Sequence, residues 1–178
     1  MNASNIIFNS IQNITKLLSS LKNFSDADLN VYNLNEVVSE TVSASKELAN
    51  SNNIELITDL PDNLTVVIDK DKFQNVLLNL IKNATEALKE TNKDNKYIRV
   101  AAQIKEGKIS LTVENNGDKI IKNNQQKIFE EGFTTKSTGS GLGLYICRKN
   151  LEEQFCELSL MKSTSAITVF EIKMNEVK

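Results

Sequence analysis

The sequence predicts an α+β fold in which helices pack on one face of a mixed sheet, with a further helix ahead of that domain at the N-terminus. Three observations predict it. Helix-like and strand-like stretches follow one another without the strict strand–helix–strand alternation of a parallel α/β sheet. The stretch from Asp69 to Thr91 is apolar on one helical face and rich in amides on another. A polar loop, Thr134-Thr135-Lys136 followed by Gly139-Ser140-Gly141-Leu142-Gly143, opens directly into an apolar helix start at Leu144.

The elements follow in order. Ile7, Ile11, Ile14, Leu18 and Leu21 step by four and three, an a/d seam that predicts a helix over 4–24 in need of a partner helix. Residues 25–33 read as a polar linker. Asn33 followed by Glu36 has capping-box character and starts a helix over 34–51, with Leu34, Val37, Val38, Thr41, Ser45 and Leu48 facing inward. Strands are expected over 54–58 and 64–68, around a turn at Pro61-Asp62-Asn63. Asp69 is placed to cap the next helix, whose core face is Phe73, Val76, Leu77, Leu80, Ile81, Ala84 and Leu88. Strands over 97–104 and 109–113 are joined by a tight Glu106-Gly107 turn. A short helix near 122–127, a helix over 141–153 and a closing hairpin of 158–161 with 167–174 complete the chain.

Composition limits what such a fold can do. The 178 residues are 40% hydrophobic, enough for a core. We divide them into an N-terminal helix, 1–30, and a main domain, 31–178. A net charge of −2, from 21 basic and 23 acidic residues, favours neither nucleic acid nor an anionic membrane as partner. No apolar run approaches a membrane span, so no membrane contact by this chain is expected. Cys147 and Cys156 form no metal spacing or disulfide framework and read as free thiols in a reducing compartment; the expected location is cytoplasmic, whatever anchor the parent protein carries. The chain contains 0 histidines.

Two stretches carry chemistry. On the 69–91 helix, Asn75, Asn79 and Asn83 recur every four residues, with Glu86 following. A solvated polar face is the plain reading; the sharper one is a row of amide oxygens beside Mg²⁺, which prefers hard oxygen ligands. In the loop, Gly139, Gly141 and Gly143 allow the backbone close to a phosphate, and the helix N-terminus beyond them presents free N–H groups to an anion. Thr134, Thr135 and Lys136 stand just upstream.

Asn79-Leu80-Ile81-Lys82-Asn83-Ala84-Thr85-Glu86-Ala87 resembles the N box of sensor histidine kinases. Ile128-Phe129-Glu130-Glu131-Gly132-Phe133-Thr134-Thr135-Lys136 resembles their phenylalanine box and lid, and Gly139 to Leu144 their second glycine box, all in the family's order. The resemblance covers roughly residues 54 to 174 and implies an ATP-binding catalytic domain: a two-layer α/β sandwich of about five strands and three helices. It implies that Asn83 ligates Mg²⁺, with Asn79 one turn earlier. Backbone donors at Gly139, Gly141, Leu142 and Gly143 would hold the phosphates, Thr134, Thr135 and Lys136 would form the lid, and Asn115, Gly117 and Thr168 would line the adenine pocket. Related gyrase- and MutL-type ATPases carry a water-activating glutamate at the position of Asn79; an amide cannot take that proton, so phosphoryl transfer to another acceptor is favoured over hydrolysis. Leu21-Lys22-Asn23-Phe24-Ser25 resembles the end of the second dimerisation helix. The implied partners are ATP, a response regulator receiver domain and a second copy through the N-terminal helix. No catalytic residue is assigned within the chain, because the acceptor histidine would lie before residue 1.

Several positions depart from the family pattern. The first glycine box, normally Asp-x-Gly-x-Gly, is here Asn115-Asn116-Gly117-Asp118-Lys119. An amide at 115 still offers an oxygen to the adenine amino group but without charge assistance, and lysine at 119 lacks glycine's freedom at positive φ. Gln154-Phe155-Cys156 replaces His-Gly-Gly, and Ile167-Thr168 replaces Gly-Thr. The alternative reading is therefore a degenerate pseudokinase or phosphotransfer-like dimer that holds a response regulator or kinase without using ATP. A serine kinase of the anti-sigma-factor type is a more distant third.

Overall fold

The computed structural model describes residues 27–89, 91–136 and 139–177; the helix expected over 4–24 lies outside them. Seven strands and three α-helices are seen among the described residues: β1 (Asn30–Asn33), α1 (Leu34–Asn50), β2 (Ile54–Asp59), β3 (Thr65–Ile68), α2 (Lys70–Lys89), β4 (Lys96–Lys105), β5 (Lys108–Asn115), α3 (Gly143–Glu152), β6 (Glu157–Ser163) and β7 (Thr168–Asn175). Five strands form one sheet in the order β2-β4-β5-β7-β6, with β2 parallel to β4 and the other pairs antiparallel. The sheet is mixed, and the expected count of five strands and three helices holds.

One face of the sheet carries all three helices. On β5, Ile109, Leu111 and Val113 alternate inward, and on α2 every predicted core residue is buried. These side chains and Leu34, Val37, Val38, Ile98, Val100, Leu151, Leu158 and Ile172 belong to one continuous core. Asn33 caps α1, its oxygen accepting from the N–H groups of Asn35 and Glu36 at 2.9 and 3.4 Å. Thr41 and Ser45, both buried, satisfy their hydroxyls on carbonyls four residues back. Leu48, expected inside, is 39% exposed; Val42 and Ala49 take the inner stripe instead, because that stripe drifts around the helix at 3.6 residues per turn.

One expectation is corrected, and the partners of the two strands flanking the Pro61 turn are set. The segment 25–33 does not stay a linker throughout, since Asn30–Asn33 forms β1, antiparallel to β3. Nor do β2 and β3 pair with each other across the Pro61 turn: β2 joins the main sheet beside β4, and β3 joins β1. The turn is redirected by α1, where Asn35 donates to the Pro61 carbonyl at 2.8 Å and accepts from the Leu64 N–H at 3.2 Å. By contrast, Glu106 and Gly107 make the expected tight hairpin, with φ of 55° and 74°, the mirror-image turn that matches strand twist. The short helix near 122–127 is two 3₁₀ turns, Lys122–Asn124 and Lys127–Phe129.

Candidate functional site

The site is built on α2. Asp69 caps this helix, its Oδ1 accepting from the Lys72 N–H at 3.0 Å. The other carboxylate oxygen accepts from the Asp28 N–H, and the Asp69 N–H donates to Gln154 at 2.9 Å in each case. The start of α2 is thereby tied to the segment just before β1 and to the turn just after α3. The core face of α2 is anchored to the sheet, so its amide face is held toward α3 and the glycine loop. Asn79 and Asn83 are half-buried there, and the Asn83 amide donates to Asn79 Oδ1 at 3.3 Å. Asn75, the third residue of the predicted row, is exposed.

The glycine loop and the lid close onto this face. A side chain at Gly143 would come within 3.0 Å of both polar atoms of Asn79, so α3 begins in contact with the asparagine row. Gly141 has φ of 71°, and a Cβ there would lie 2.3 Å from the Gly132 carbonyl carbon. At Gly139, a Cβ would meet Thr134 Oγ1 at 2.4 Å. Three glycines thus serve three different close approaches. Leu142 between them is 38% exposed. Thr134 and Thr135 are exposed, and Thr134 Oγ1 accepts from the Lys136 N–H at 3.1 Å. The Lys136 ammonium pairs with Glu86, joining the lid to α2. Behind the lid, Phe129 packs edge-on to Phe170 at 6.2 Å, and the Arg148 guanidinium lies 3.8 Å over its ring.

Asn115, the last residue of β5, and Thr168, the first of β7, are register partners. Both are buried, at 2% and 3% exposure. Asn115 Oδ1 accepts from the Gly117 N–H at 3.0 Å. Gly117 itself lies against α2, where a Cβ would come 3.1 Å from the Ala87 carbonyl. Lys119 is not among the residues at positive φ, so the loss of glycine there carries no backbone strain. Strain is found instead at Phe155, with φ of 57° and 63% exposure, where the family has glycine.

Three residues beside the predicted site residues were given no part in the site from sequence. Glu86 fell in line with the asparagine row, but its pairing with Lys136 depends on the fold of a loop 50 residues away. Ser163 shares a hydrogen bond with Thr168 at 2.9 Å and accepts from the Ile120 N–H at 2.8 Å; its place five residues before Thr168 in a hairpin was the available signal. Cys147 sits behind Asn79, and burial pushes its thiol up to about 12 although Asn79 hydrogen-bonds it in opposition.

Residues 68–177 match the family described as histidine kinase-, DNA gyrase B-, and HSP90-like ATPase. The chain belongs to this family. Within it, the ATPase-family domain is 31% identical over 145 residues to the sensor protein TdiS of Thauera aromatica, covering 80% of this chain and 26% of that protein. It is 29% identical over 149 residues to the signal transduction histidine-protein kinase AtoS of Escherichia coli, covering 81% of this chain and 24% of that one. The chain spans about a quarter of the length of these curated relatives. Among solved structures, the catalytic domain of histidine kinase ThkA superposes with a TM-score of 0.73 at 29% identity, over 83% of this chain and 95% of that one. A structure of ThkA in complex with the response regulator TrrA matches with a TM-score of 0.69 at 27% identity, over 98% of this chain and 50% of that one. Among the described residues, no helix is long and apolar enough to cross a membrane.

Proposed function

We propose that this chain is the ATP-binding catalytic part of a two-component sensor histidine kinase, residues 31–178, joined to the end of a dimerisation segment, residues 1–30. It holds Mg-ATP for phosphoryl transfer to a histidine, a residue type the chain itself lacks. The supporting observation is the convergence of α2, the glycine loop and the lid: Gly143 meets Asn79, Gly141 meets Gly132, and Lys136 reaches Glu86. In this reading the backbone of Gly139 to Gly143 and the start of α3 receive the phosphates. Thr134, Thr135 and Lys136 fold over them, Lys136 exchanging Glu86 for a phosphate oxygen. Gly117, Asn115 and Thr168 line the base.

The residues present fit a magnesium ion. With its N–H₂ engaged by Asn79, the Asn83 oxygen is the atom left for a hard cation, and Mg²⁺ accepts one protein oxygen when phosphates and water fill the rest. Bound there, the ion would neutralise charge developing on the transferred group. Neither Asn79 nor Asn83 can accept a proton from water, which favours holding the γ-phosphate for an incoming nucleophile over hydrolysing it. A response regulator receiver domain as downstream partner, and a homodimer through 4–24, belong to the same proposal. The former rests on the ThkA–TrrA complex. The latter rests on a heptad seam that lies outside the described residues.

Calorimetric titration with a non-hydrolysable ATP analogue, with and without Mg²⁺, tests the proposal. Magnesium-dependent binding is expected. A folded protein that binds nothing at millimolar analogue would leave the non-catalytic reading standing.

A further inference from the structure

Three groups at the glycine loop and lid that could hold an anion are already engaged by oxygens of the chain itself. The Lys136 ammonium pairs with the Glu86 carboxylate on α2. The Gly139 N–H donates to the Lys136 carbonyl at 3.2 Å. The Leu142 N–H, at the start of α3, donates to Ser140 Oγ at 3.3 Å. Lid and loop also lie in close contact: Thr134 Oγ1 takes the space of a Cβ at Gly139, and the Gly132 backbone takes that of a Cβ at Gly141. The Glu86 pair ties this closed set to α2. Glu86 follows Asn83 by three residues, so its carboxylate shares the helix face of that amide. The Glu86 and Lys136 side chains are 34% and 41% exposed, so the pair is open to an incoming anion.

We propose that Glu86 is a built-in competitor for the phosphates: its carboxylate stands in for a phosphate oxygen on Lys136 and holds the lid against α2 until a polyphosphate displaces it. The inference rests on the reading of this site as a nucleotide site, and it adds how that site is regulated. A carboxylate and a phosphate oxygen both accept charge-assisted hydrogen bonds from an ammonium, so they compete for the one lysine. An exposed ion pair is a weak clasp, which sets an equilibrium and not a permanent closure. A ligand that needs Lys136 free has its affinity lowered by the fraction of molecules in which the lysine is free. Magnesium polyphosphate displaces the carboxylate because it brings several oxygens to the lysine and to the backbone of Gly139 to Gly143 together. Glu86 is then left as an unpaired carboxylate near anionic phosphates, which adds repulsion. Both effects have one sign: Glu86 weakens binding at the phosphate end.

Two measurements on the full chain test this. The first uses no ligand: trypsin cleavage of the bond after Lys136 is followed by mass spectrometry in the wild type and in E86Q, with cleavage after other lysines as internal standard. E86Q should raise the rate at this bond about threefold, the size of an exposed ion pair. The second is calorimetric titration of wild type, E86Q, K136M and the double variant with magnesium tripolyphosphate and with a non-hydrolysable ATP analogue plus magnesium. E86Q should bind each ligand at least about threefold tighter than wild type. That gain should be about threefold larger than the same change gives in the K136M background. Repulsion between Glu86 and phosphate is present in both backgrounds, so the difference isolates the clasp. Unchanged cleavage in E86Q, no tightening, or equal gains in the two backgrounds overturns the proposal, while binding by the wild type leaves the nucleotide site standing. If no protein binds either ligand, the nucleotide reading is refuted and the competition with it. Should K136M abolish binding, the cleavage rate and the wild-type gain decide.

Discussion

At the scale of the residue, Asn83 and the two cysteines give the sharpest expectations. Asn83 carries the only function proposed for a single metal-directed oxygen, and its side chain is half-buried between polar neighbours, outside the core. Asn83→Ala should weaken magnesium-dependent analogue binding at least about tenfold, as loss of a metal-site group commonly does. Its melting temperature should stay close to wild type; calorimetry and a thermal melt read the two effects separately. Cys147 and Cys156, both buried, report the core instead. Burial pushes each thiol from 9.0 up to about 12. A raised folded pKa means the native state favours the neutral thiol. That stability is fully present below pH 9, and it is lost as pH rises from about 9 toward 12, because the unfolded chain ionises first. Stability should fall with a slope of roughly 1.4 kcal/mol per pH unit per thiol in that window. Urea melts at pH 8, 9 and 10 on the wild type and on Cys147→Ala/Cys156→Ala would show it, the double variant having the shallower slope.

At the scale of the element, α2 organises everything else. Its core face was legible in sequence because seven apolar residues at helical spacing leave no other amphipathic solution, and its cap was legible in Asp69. What the sequence did not convey is that Asp69 also accepts from Asp28 and, through its N–H, holds Gln154, partners 41 and 85 residues away. Asp69→Ala should therefore cost more than an ordinary cap, about 2 kcal/mol, since it leaves two N–H groups short of an oxygen. Chemical denaturation measures this; a loss below about 0.5 kcal/mol would show the tie to be incidental. The glycine loop and lid are the complementary case. The three glycines were recognisable as a place of close approach, but which one meets Asn79, which meets Gly132 and which meets Thr134 is decided by how α3 docks on α2.

At the scale of the whole molecule, the proposed phosphoryl transfer carries an expectation of its own, since the chain has no histidine and amides rather than carboxylates at Asn79 and Asn83. The chain alone should release no inorganic phosphate from ATP above background. Radiolabelled ATP should instead label a supplied dimerisation segment that carries a histidine. Brisk phosphate release would contradict the reading of Asn79. By itself the sequence determined the fold class, the main elements and the family. Periodicity and motif spacing are local properties, and a core of this pattern buries itself in one way. Only the tertiary structure decided that β2 and β3 part company, that Lys136 meets Glu86, and that Lys119 is unstrained while Phe155 is not. Only it fixed the sense of the Asn115 amide against Gly117. Each of these depends on groups far apart in the chain, or on backbone angles that neighbouring elements impose, and no local pattern encodes either.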